Sequence, residues 1–125
     1  MKEEINIELS NGFIEAIQYH LENKEELLLV ELKSKEFSIE EMLNNYYYGE
    51  KGKVFNHSVE KDSIQFRDAT TGTFTIQYSI NYSNGCQDIS YNEKDKRAIN
   101  FEIDLGKGTM KLIGEYIPER MPDEF

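Results

Sequence analysis

At 125 residues the chain fits one domain, and its 24 acidic against 14 basic residues leave a net charge of −10. That charge repels nucleic acid and anionic membrane alike and makes a basic protein the expected partner. A single cysteine, Cys86, excludes an internal disulfide, the opening Met-Lys-Glu-Glu-Ile-Asn lacks an apolar signal core, and the longest apolar run is only Leu27 to Val30, so a cytoplasmic chain with no membrane span is expected.

Ile5, Ile7 and Leu9 alternate like a strand and lead into Asn11-Gly12, a pair suited to a hairpin turn. A two-residue loop there sets Leu9 against Ile14, and a three-residue loop sets it against Phe13. Residues 13–21 then read as a strand with Phe13, Ile17, Tyr19 and Leu21 on one face. A helix over 12–26 is the rival, and the strand is preferred because a loop at 22–25 would bring Tyr19 to Leu28 and Ile17 to Val30. Residues 27–32, apolar on both faces at first, follow as a central strand.

The one expected helix covers 39–48. Ser38 and Glu41 form a capping box, Phe37 sits where it can staple onto Met42, and Gly49 supplies a stop. Ile39, Met42, Leu43, Tyr46 and Tyr47 make the core-facing stripe, which leaves Tyr48 as a surface contact.

Residues 54–59 and 63–66 are weaker strands. In 73–82, Phe74, Ile76, Tyr78, Ile80 and Tyr82 alternate without a miss, and Asn84-Gly85 as a two-residue turn would pair Ile80 with Ile89 and Tyr78 with Tyr91. After a charged loop at 92–96, Ile99, Phe101, Ile103 and Leu105 alternate again. An even-numbered loop within 106–109 sets Ile103 and Phe101 against Met110 and Leu112, or against Leu112 and Gly114. The last strand is 109–117, and Pro118 and Pro122 end the pairing. The pattern predicts an α+β fold: mostly antiparallel sheet of about eight strands, sandwich- or half-barrel-like, with one capped helix packed on it. Residues 1–117 form the domain and 118–125 an extended tail.

Chemistry-bearing motifs are sparse. His20 and His57 lie 37 positions apart and Cys86 has no basic neighbour, so neither a zinc site nor an activated thiolate is expected. Gly106-Lys107-Gly108 fits a hairpin turn better than a phosphate loop. No cofactor is expected, and a carboxylate-pair hydrolase has no specific support. What stands out is a surface: Asn100, Glu102 and Asp104 form the outward row of one strand, and Lys111, Ile113 and Glu115 that of the next. Glu102, Asp104, Ile113, Glu115 and Tyr48 are the candidate protein-binding residues, carboxylates steering a basic partner and Ile113 and Tyr48 anchoring it.

With these acidic rows, its aromatic strands and the ending Gly114-Glu115-Tyr116-Ile117-Pro118-Glu119-Arg120, the chain resembles in general character the small acidic immunity proteins of bacterial contact-dependent growth inhibition and polymorphic toxin systems. The resemblance implies a non-enzymatic inhibitor that occludes the basic active site of a nuclease toxin. The alternative is a small barrel or sandwich that binds an apolar or aromatic ligand between Phe74, Tyr78, Phe101 and Tyr116.

Overall fold

A computed structural model describes residues 3–19, 23–48, 51–84 and 89–115. In chain order these form strand β1 (Glu4–Glu8), helices α1 (Asn11–Tyr19), α2 (Lys24–Ser34) and α3 (Glu36–Tyr47), then β2 (Gly52–Val59), a single 3-10 turn, β3 (Gln65–Phe66), β4 (Thr71–Asn84), β5 (Ile89–Asp104) and β6 (Thr109–Gly114). The six strands make one antiparallel sheet in the order β1-β6-β5-β4-β2, with β3 also on β4. It curls into a half-barrel and the helices fill its concave side, as the α+β expectation requires.

Two of the expected strands are helices. Residues 13–21 give α1 and 27–32 fall within α2, and the turn expected at Asn11-Gly12 is instead the first turn of α1. Phe13 and Ile17 are buried with Ile14 and Ala16 half-buried beside them, a spacing of three and four that period-2 reading mistakes for alternation. In α2 only Leu28, Glu31 and Leu32 go inside, and Val30, which a central strand would have buried, is 68% exposed.

Glu31 explains how α1 starts. Its carboxylate lies 95% buried and accepts hydrogen bonds from the Ser10 backbone N–H and the Ser10 hydroxyl, both at 2.8 Å, while Ser10 Oγ accepts the Phe13 N–H at 3.2 Å. Ser10 is thus the N-cap of α1 and Glu31 holds the cap in place. Glu31→Ala strands two donors in a half-buried site, and a loss of about 1–3 kcal/mol in urea unfolding is expected. A change below about 0.5 kcal/mol would mean that water replaces the carboxylate without cost.

Helix α3 begins at Glu36, earlier than the capping box implies. Ser38 lies inside it, no side chain caps it, and Phe37 is 80% exposed instead of stapled. The reason is continuity. A single residue, Lys35, joins α2 to α3, donating to the Leu32 carbonyl and accepting from Ile39, so Lys35 takes the N-cap position and Ser38 falls within the first turn. The expected core stripe is correct: Ile39, Met42, Leu43 and Tyr47 are buried and Tyr46 packs against them. Gly49 lies outside the described residues.

The sheet's concave face contributes Phe74, Ile76, Tyr78, Ile80, Ile99, Phe101, Ile103, Met110 and Leu112, all buried. The β5–β6 register is the first of the two expected, Ile103 against Met110 and Phe101 against Leu112. The β4–β5 register is not: Tyr82 faces Tyr91 and Tyr78 faces Asp95, four residues away from the expected pairing, and 92–96 is strand, not loop. A shift of four keeps every side chain on its face, so alternation alone cannot choose between the registers. Contacts across the fold choose. Tyr82 stacks on Tyr91 at 5.1 Å, and Phe101 lands opposite Gly72, where a Cβ would strike its ring and the Gln65 carbonyl. Of the strand expected at 63–66 only Gln65 and Phe66 pair, and of 109–117 the described strand ends at Gly114. The tail from Tyr116 onward lies outside the described residues.

Candidate protein-binding surfaces

Glu102 and Asp104 project from the convex face of the sheet, as their alternation with Phe101 and Ile103 requires. With Asn6, Thr70, Thr71, Leu105 and Thr109 they line a concavity of about 680 Å³, but Lys107 and Lys111 line it too. Lys111 sits directly across from Glu102 and lies 3.8 Å from Glu4, while Asp104 accepts the Lys107 N–H at 3.0 Å. Two carboxylates and two ammonium groups therefore balance in this hollow. Ile113 is half-buried on the same row, opposite Asn100.

Glu115 leaves that row. Its Oε1 accepts the Ala98 N–H at 3.3 Å and lies 3.6 Å from the Arg97 guanidinium. Tyr48 is separated altogether, since it extends α3 on the opposite layer, 85% exposed. The five residues are thus not one patch: Glu102, Asp104 and Ile113 share the convex face, Glu115 turns to Arg97, and Tyr48 belongs to the helices.

Tyr48 has a companion the sequence reading placed elsewhere. Phe37 precedes it by 11 residues, which on a helix of 100° per residue returns to within about 20° of the same direction, roughly 16 Å along the axis. Glu41 lies on this stripe and is exposed, whereas Glu36, about 100° round the helix from Phe37, lines the hollow against β2 and Glu40 lies 4.0 Å from His57. Four of the five large hydrophobics exposed among the described residues, Tyr19, Val30, Phe37 and Tyr48, are on the helices, and the fifth is Tyr91. Phe37 is legible as a surface residue only once α2 is known to run into α3.

Beneath the end of α3, a polar network ties helix to sheet. Tyr47 Oη donates to Asp95 Oδ2 at 2.9 Å and lies 2.7 Å from Tyr78 Oη and 3.2 Å from an Arg97 nitrogen. A carboxylate only accepts, so the Tyr47 proton goes to Asp95 and Tyr78 must donate to Tyr47. Arg97 also lies over the Tyr46 ring, 5.2 Å from its centre, and Tyr46 Oη fills the space that a side chain at Gly114 would occupy. Burial pushes the Tyr47 and Tyr78 phenols up, Tyr78 to about 12.

Because both hold their protons more tightly folded than unfolded, where loss occurs near 10.0, the stability they confer is intact below pH 10 and is lost as pH rises toward about 12. The urea midpoint is expected to fall across this window, and less steeply in Tyr78→Phe. Equal slopes in the two proteins would contradict the network.

The residues of the ligand-binding alternative are core. Phe74 and Phe101 are fully buried and stacked 6.2 Å apart, with Phe66 edge-on to Phe101 at 5.1 Å, and Tyr116 is outside the described residues. A different hollow of about 330 Å³ lies between α2, α3 and β2, lined by Leu29, Leu32, Ile39, Val59 and Ile76 with Lys33, Glu36 and His57. A bulge in β2, where Asn56 takes a left-handed φ of 52°, sets His57 4.0 Å from Glu40. His20 and Cys86 lie outside the described residues. Gly106-Lys107-Gly108 is the β5–β6 turn, with Gly108 left-handed (φ 66°) and its carbonyl accepting the Leu9 N–H at 2.9 Å. Among the described residues no cluster of His, Cys, Asp and Glu could hold a metal ion, and no helix is long and apolar enough to cross a membrane. No family model matches this chain, and neither a curated protein nor a solved structure is similar to it.

Proposed function

We propose that the chain is a non-enzymatic protein-binding inhibitor, of the immunity-protein kind, that holds a basic partner such as a nuclease toxin against the outer face of α3. The observation that carries this reading is the stripe Phe37–Glu41–Tyr48. Two aromatic rings, 80% and 85% exposed, flank Glu41 on one helix face and lie outside the buried core of the described residues. Exposed aromatics rimmed by charge are what a docking helix offers, rings supplying desolvated contact area and carboxylates selecting a cationic surface. The net charge of −10 adds long-range attraction for such a partner. The convex row of Glu102 and Asp104 contributes to that field, but its lysines make it the weaker contact face.

The test is capture with three baits: wild type, Phe37→Ala/Tyr48→Ala, and Glu102→Lys/Asp104→Lys. A basic protein retained by the first and third baits and lost from the second supports the reading. Retention by the second bait and loss from the third moves the site to the convex face, and an acidic partner sinks the proposal.

A further inference from the structure

The hollow of about 330 Å³ between α2, α3 and β2 owes one wall to the bulge in β2. Val54 lies opposite Ile80 and Val59 opposite Ile76, so β2 carries one more residue than β4 between Phe55 and Ser58. Residues opposite one another share a face of the sheet. The side chains turned toward the helices are therefore even-numbered before the bulge and odd-numbered after it, which brings His57 and Val59 to the hollow and leaves Asn56 exposed. A bulge that re-aims side chains in this way is a common device beside binding sites.

Five aliphatic side chains, Leu29, Leu32, Ile39, Val59 and Ile76, line the hollow, and no Phe or Tyr among the described residues does. Its charged rim is Lys33 and Glu36, both exposed, while the His57 side chain is 12% exposed and 4.0 Å from Glu40. The Lys33 and Glu36 side chains have no hydrogen bond or ion pair with any described residue.

We propose that this hollow binds a small aliphatic zwitterion, an α-amino acid with a branched side chain such as leucine, its carboxylate on Lys33 and its ammonium on Glu36. The volume is at the lower end of the ~300–1,000 Å³ of ligand sites, which suits one side chain with its head group and not a nucleotide or a long acyl chain. Walls without Phe or Tyr rings offer an aromatic ligand nothing to stack on. Charge narrows the class further. An anion would meet Glu36 and Glu40 with Lys33 alone to hold it, and a cation would meet Lys33, so a ligand carrying both signs is the one that satisfies both rim charges. Neither Phe37 nor Tyr48 lines the hollow, and the site does not depend on the protein-binding reading.

Isothermal titration calorimetry on the full chain tests this with L-leucine, isocaproate, which is leucine without its ammonium, and isoamylamine, which is leucine without its carboxylate. L-leucine is expected to bind saturably with a dissociation constant of about 1 mM or below, and each analogue roughly threefold to tenfold more weakly. Lys33→Gln should weaken L-leucine by a similar factor without weakening isoamylamine, and Glu36→Gln should do so without weakening isocaproate. Both side chains are exposed, so the variants should stay folded. No saturable binding of L-leucine, analogues that bind as well as it does, tighter binding of L-phenylalanine, or variants that bind all three ligands like wild type would each overturn the proposal.

Discussion

Phe101→Asp is expected to leave the chain without a cooperative unfolding transition. Phe101 is fully buried where three parts of the fold meet: Phe66 packs edge-on to it, Phe74 stacks on it, Leu112 lies across from it on β6, and the Gly72 backbone passes against its ring. Removing such a ring costs about 3–5 kcal/mol. Placing an unpaired carboxylate in the gap adds several more, which together approach the roughly 5–15 kcal/mol that holds a domain folded. Asn81→Lys is the matched control. Asn81 lies on the convex face of the same ribbon, its amide bonded to Ser90 Oγ and Asn92 Oδ1, and its replacement should cost no more than about 1 kcal/mol. Circular dichroism with urea titration reads both. A folded Phe101→Asp would contradict the core placement of this ring, and equal damage from the two would mean that the convex face is also covered.

The second large effect is on binding. If the proposed partner docks on α3, Phe37→Ala and Tyr48→Ala should each weaken the complex by about 1–2 kcal/mol, roughly fivefold to thirtyfold, mainly by faster dissociation, with folding little changed because both residues are largely exposed. Glu36→Lys/Glu41→Lys should slow association at low salt and keep part of its deficit at high salt, since the proposed contact includes Glu41 and borders Glu36. Glu102→Lys/Asp104→Lys changes the net charge equally from the other layer, so its effect should be confined to association and disappear as salt shortens the Debye length to ~8 Å and below. Stopped-flow kinetics at two ionic strengths separates these cases. Indistinguishable salt dependence for the two charge pairs would leave α3 no privileged role.

How far the fold could be read from the sequence follows from which contacts are local. β1, the core stripe of α3, the concave faces of β4 and β5 and the β5–β6 register all follow from residues a few positions apart, and each is where period 2 or 3.6 places it. Phe13 to Val30 misled because short apolar runs fit both periods, and the deciding interaction, Glu31 holding Ser10, joins residues 21 apart. The β4–β5 register was hidden because registers four residues apart bury the same side chains; the one found lets Asp95 and Arg97 reach Tyr47, nearly fifty positions away. For the surface, Tyr48 was legible from the helical stripe and Phe37 was not, because a staple presumes a helix capped at Ser38, whereas α3 starts at Glu36 and takes Phe37 into its first turn. The charge of the Glu102 row was legible, but not the two lysines that the sheet brings into its hollow.

The most direct measurement is hydrogen exchange on the complex with a captured basic partner, read peptide by peptide against the free protein. Docking on α3 should slow exchange over residues 36–48 and leave 98–113 unchanged. Protection over 98–113 with no change at 36–48 would place the partner on the convex sheet face and contradict a binding site on α3.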